Sequence, residues 1–82
     1  MKHLRFRRLD QGAAIFNEAT WQTHILTPAA TVIYEELMRR SGGRVIPEVD
    51  AIEILREDFE LDPETPEIRQ LLTMLNNLGV TR

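Results

Sequence analysis

Residues 3–9, HLRFRRL, alternate in polarity, with Leu4 and Phe6 on one side and Arg5 and Arg7 on the other. A period of two is that of a strand with one buried face. Asp10-Gln11-Gly12 supplies turn chemistry, because glycine accepts the positive φ that tight turns often need. AAIFN, residues 13–17, reads as a second strand, and Asn17-Glu18-Ala19-Thr20 as a connecting turn. WQTHIL, residues 21–26, is rich in β-branched and aromatic side chains and reads as a third strand. Short connections between successive strands predict an antiparallel meander.

At Thr27 the period changes. A threonine hydroxyl can cap a helix amino terminus, and Pro28 follows where a missing N–H costs nothing. Ala30, Ile33, Leu37 and Met38 keep helical spacing up to Ser41-Gly42-Gly43, a helix stop. A second helix is expected from near Pro47 to about Phe59, with Val49, Ile52, Leu55 and Phe59 as its buried stripe. ELDPETPE is then a loop, and Thr65-Pro66 repeats the Thr-Pro start signal. Ile68, Leu71, Leu72, Leu75 and Leu78 recur at steps of three and four, Gly79 ends the last helix, and Val80 lies just beyond. The expected architecture is α+β and winged-helix-like: a three-stranded antiparallel meander followed by three helices, in one domain spanning residues 1–82.

Composition narrows the setting. The chain has 82 residues, 43% hydrophobic and 28% charged, enough for one small core. It has no cysteine, so no disulfide and no thiolate zinc site can form. Small secreted domains usually depend on such staples, so a reducing cytoplasm is the expected compartment. The basic start MKHLRFRR is not followed by an apolar stretch of signal-peptide length, and no run approaches the roughly 20 apolar residues of a membrane span. The net charge is −3. Glu48, Asp50, Glu53, Glu57, Asp58, Glu60, Asp62, Glu64 and Glu67 face a single base, Arg56, across residues 46–68. Such a face repels phosphate backbones, and otherwise serves as solvated helix surface.

Candidate chemistry is sparse. His24 is the first suspect as an acid–base group, but no paired acid, glycine-rich elbow or oxyanion-hole signature accompanies it. A structural histidine is the simpler reading. His3 is the only other histidine, and DPETPE lacks the alternating oxygen ligands and central glycine of a calcium loop, so no metal site is expected. SGGR is not followed by the Lys-Ser/Thr of a phosphate loop, and a helix stop explains it. Neither a cofactor nor a catalytic residue is expected. Trp21 either packs over the sheet end or meets a partner. Met74, at the margin of the last apolar stripe, either fills a core gap or lends an adaptable contact.

An open meander leaves unpaired backbone groups on its edges, and a peptide can satisfy them as an added strand. The order of elements, FNEATWQTHILTPAATVIYEEL (residues 16–37) and the closing LLTMLNNLGV (residues 71–80) together resemble the PqqD family of small peptide chaperones. The likeness runs from Leu4 to Val80 and is nearest to the branch associated with HPr-kinase-related peptide systems. It implies a precursor-peptide recognition element that binds the leader of a ribosomally made peptide antiparallel to the third strand. The implied strand wall is Gln22, Thr23, His24 and Ile25, and Trp21 beside it is expected to contact the peptide as well. The implied helix wall is Leu71, Met74 and Leu78, with Glu67 at one end. The implied partners are the precursor peptide and a separate peptide-modifying enzyme. Two features depart from the family pattern: the long, basic SGGRVIPE loop, and Trp21 at a turn position where a small residue is usual.

Two competing readings follow from the residues. A nucleic-acid-binding winged helix would use Arg5, Arg7, Arg8, Arg39, Arg40 and Arg44 on phosphates, yet the second helix is acidic and the third holds only Arg69. An assembly module would pair the free edge with a second copy, giving a homodimer.

Overall fold

In the computed structural model, which describes residues 4–82, three strands pair in sequence order: β1 (Leu4–Leu9), β2 (Gly12–Asn17) and β3 (Gln22–Leu26). Both pairings are antiparallel, and three helices follow: α1 (Pro28–Ser41), α2 (Glu48–Glu57) and α3 (Pro66–Asn77). The α+β arrangement expected from the sequence is the one observed. The expected strand start at His3 lies outside the described residues.

Register follows from the need to bury one face. Phe6 pairs with Ile15 and Ile15 with His24, while Ala13 pairs with Leu26. Phe6, Ala13, Ile15, His24 and Leu26 therefore share the inner face, and Arg5, Arg7, Ala14, Phe16, Thr23 and Ile25 share the outer one. Ile15 and Leu26 are buried against Ile33 and Leu37 of α1, and Phe6 stacks on Tyr34 at 5.2 Å between ring centroids. A two-residue loop, Asp10-Gln11, joins β1 to β2. Gly12 then starts β2 at φ +102°, and a Cβ there would sit 2.1 Å from the Leu26 carbonyl oxygen. Only glycine allows that approach, so Gly12 fixes how closely β2 and β3 meet.

Of the three helices, α1 alone has the side-chain cap its sequence signals. Thr27 Oγ1 accepts from Ala30 N at 3.1 Å, and Gly42 closes α1 in the left-handed region at φ 65°. Thr65 precedes α3 as expected, but its hydroxyl donates to the Asp62 carbonyl at 3.0 Å instead of capping the helix. Pro47 has no side-chain acceptor to offer α2, so the terminal segment takes over. Glu48 N donates to Arg82 O, Ile46 N to Val80 O and Arg82 N to Ile46 O, each at 3.0–3.1 Å.

Beyond that tie, α2 meets the core through one face. Ala51 and Leu55 face the core, whereas Val49, expected in the buried stripe, is 72% exposed. Ile52 and Phe59 pack only partly against the core. With Ile46 and Val80 buried at the helix entrance, the α2 face carrying Ala51 turns inward and Val49 lies on the opposite flank. On α3, Leu71, Leu72 and Leu75 are buried as their spacing predicts, and Leu78 and Val80 complete the core.

Charges on α1 link the layers. Arg8 pairs with Glu35 at 3.1 Å, Arg39 and Arg40 both reach Glu36, and Arg40 also reaches Asp58 beyond α2. Hydrogen bonds from Arg39, then from Arg40, hold the Glu36 carboxyl at about 2, below its ordinary 4.5. A depressed carboxylate contributes stability above its unfolded pKa and loses it as pH falls through the folded value. Glu36→Gln is expected to lower stability modestly at neutral pH and to flatten its dependence on pH between about 4.5 and 2, so that the two chains converge at the acid end, as read by urea denaturation across that range. Gly12→Ala is expected to lower unfolding free energy by about 3 kcal/mol, because both the positive φ and the Leu26 carbonyl resist a Cβ. Denaturant titration followed by circular dichroism measures it.

Candidate binding groove

β3 pairs with β2 along its whole length and with no other strand among the described residues. One row of its backbone N–H and C=O groups therefore points away from the sheet, next to α3. Between the strand and the helix lies a groove with two adjoining lobes that share Gln70 and Met74. The first lobe is mainly apolar, walled by Leu26, Ala29, Ala30, Leu71 and Met74, with Glu67 at its mouth. The second is lined by His24, Arg69, Gln70, Thr73, Met74 and Asn77.

Lobe contacts fix the relative direction of strand and helix. Ile25 and Leu26 meet the start of α3 at Glu67 and Leu71, whereas His24 meets its later turns at Thr73 and Asn77. The two elements thus run antiparallel. Thr27 and Pro28 matter here because the capped helix start turns the chain sharply and brings Ala29 and Ala30 into the apolar lobe.

Of the residues singled out from the sequence, the structure gathers His24, Ile25, Glu67, Leu71 and Met74 around this groove. Gln22 and Thr23 continue the same open strand but line neither lobe. Leu78 is 8% exposed and belongs to the core, not to either lobe. Sequence reasoning missed Gln70, Thr73 and Asn77. With Met74 they occupy positions i, i+3, i+4 and i+7 on α3, a stripe of uncharged side chains beside the leucine stripe. An exposed helix face without charge was the available signal.

Trp21 does not start the third strand. It ends the loop Glu18–Trp21 in the left-handed region, at φ 62°, with its N–H donating to Asn17 O at 2.7 Å. Asn17 Oδ1 accepts from Ala19 N at 2.9 Å and shapes the same loop. The indole is 81% exposed and touches Phe16 edge-on, with centroids 6.0 Å apart. It does not pack over the sheet end as a core residue would.

The groove offers hydrogen-bonding groups and apolar surface. His24 is half-buried on the inner face, its imidazole without a hydrogen bond or ion pair to any described residue. No group of three or more potential metal ligands occurs among the described residues. Of the six arginines a phosphate-binding surface would use, Arg5, Arg8, Arg39 and Arg40 are held by Glu18, Glu35 and Glu36. Among the described residues no helix is long and apolar enough to cross a membrane.

Against known proteins, no family model, no curated protein and no solved structure matches this chain.

Because Trp21 buries little surface and its backbone favours glycine, Trp21→Gly is expected to change unfolding free energy by less than about 1 kcal/mol. Loss of a buried tryptophan would cost about 3–5 kcal/mol. Urea unfolding followed by far-ultraviolet circular dichroism distinguishes the two.

Proposed function

We propose that this chain is a non-catalytic peptide-binding domain of the PqqD type, which captures the leader of a ribosomally made precursor peptide by strand addition. The guest joins the free border of β3 and lays alternate side chains into the groove against α3. The observation that carries this reading is the juxtaposition of an unpaired strand edge with a partly apolar helix face, on which an uncharged stripe runs beside Glu67 and Arg69. Backbone hydrogen bonds give such a complex affinity without sequence demands, and the two lobes give it selectivity. A total of about −8 kcal/mol suffices for micromolar binding.

Holding the leader raises the effective concentration of the attached core peptide for a separate modifying enzyme. The domain itself supplies tethering and no chemistry. A cysteine-free chain fits a reducing cytoplasm, where such maturation takes place.

Titrating the 15N-labelled domain with the leader encoded by a neighbouring short reading frame is expected to move amides of residues 21–26 and 67–78. Met74→Glu puts a charge on the wall common to both lobes and is expected to weaken that binding at least tenfold, about 1.4 kcal/mol. Shifts confined to other segments would count against the groove. Steeply salt-dependent binding to duplex DNA would favour the nucleic-acid alternative, and a concentration-dependent sedimentation coefficient the self-association one.

A further inference from the structure

The groove accounts for only one face of an added strand. Side chains of a strand alternate, so half of those on any guest at β3 must emerge on the outer face of the sheet. That face is not neutral ground. Ile25 borders the apolar lobe, yet by strand alternation its side chain emerges on this outer face, where it is 67% exposed and its cross-strand neighbour on β2 is the small Ala14. Trp21 stands on the same side, through its contact with Phe16, and is held in a backbone conformation that favours glycine. An isoleucine and a tryptophan this exposed, at the margin of a sheet whose hydrogen-bonding edge is open, form the continuation of a row that stops at β3.

Resting on the strand-addition reading above, we propose that the guest is read on both faces. It carries two consecutive apolar residues, the first entering the groove and the next packing on Ile25 outside. The register follows from an antiparallel guest, which continues the meander. Its residue opposite Leu26 points into the apolar lobe between Leu71 and Met74. The following residue lies opposite Ile25 on the outer face, where directly facing side chains come within contact distance. The third points back toward His24 and Asn77 and is polar. The fourth, opposite Thr23, runs beside Trp21. A ligand of this class departs from simple alternation: apolar, apolar, polar, then a side chain that can meet an indole. An ordinary amphipathic strand offers the groove face alone and leaves Ile25 and Trp21 in water.

The test uses a displayed library of randomised peptides about nine residues long, selected on the intact chain and on Ile25→Thr, which keeps a β-branched residue suited to a strand. Peptides from the unmodified chain are expected to be enriched in adjacent apolar pairs. On Ile25→Thr the second member of the pair should lose its enrichment while the first keeps it. One enriched peptide should bind the unmodified chain about three- to fivefold more tightly than Ile25→Thr, and replacing its second apolar residue by threonine should abolish that difference. Trp21→Gly should relax only the preference at the position opposite Thr23. Peptides with a single groove-facing apolar residue, bound equally by both chains, would overturn two-faced reading and leave the groove intact. Enriched peptides that fail to move amides of residues 22–26 would overturn strand addition itself.

Discussion

Backbone hydrogen bonding at a sheet border is the constraint from which the rest of this structure takes its meaning. A three-stranded sheet satisfies its central strand completely and leaves two borders exposed. Here β1 presents one border, with Arg5, Arg7 and Arg8 along it, the kind of charged edge that discourages pairing. β3 presents the other, and its sequence QTHIL contains no acidic residue, lysine or arginine. The chain thus guards one border and leaves the other receptive. Next to the open border lies α3, where the uncharged Gln70, Thr73, Met74 and Asn77 line the groove together with Arg69.

Packing makes this border dependable. Leu26 is buried at the end of β3 while Gln22 and Thr23 at its beginning are exposed, so the strand is anchored at the end where the chain turns into α1. The Thr27 cap and Pro28 define that turn, and Gly12 lets the two strands meet without a clash. α3 is held from its far side: Leu71, Leu72 and Leu75 sink into the core, and the segment from Val80 to Arg82 is stitched to residues 46–48. Both walls of the groove are therefore fixed by core contacts, while the space between them stays open. Preorganised walls spare a ligand the cost of ordering them.

Much of this was legible in the sequence, and the misses have physical causes. Strand and helix order could be read because polarity periods switch cleanly from two to about 3.6 at Thr27, and because Gly42 and Gly79 end their helices. Val49 departs from the expected stripe because α2 turns Ala51 and Leu55 to the core, and the side of an amphipathic helix with several apolar positions is chosen by long-range packing that leaves no local pattern. Strand propensity places Trp21 in β3, but the residue closing the four-residue loop is left-handed, and propensity yields to loop geometry. The family likeness implies Leu78 in the groove, yet it closes the core at the helix end. His24, Ile25, Glu67, Leu71 and Met74 could be placed together from the family likeness. The polar members of the groove could not, since their role comes from facing a strand and not from apolar spacing.

Amide hydrogen exchange of the free domain tests the central claim most directly, because it asks whether the border of β3 is open in solution. If it is, alternate amides within Gln22–Leu26 exchange rapidly while those bonded to β2 are protected, and the pattern does not change with protein concentration. Uniform protection along β3, or protection that grows with concentration, would mean that the border is already covered, and strand addition by a peptide would lose its basis.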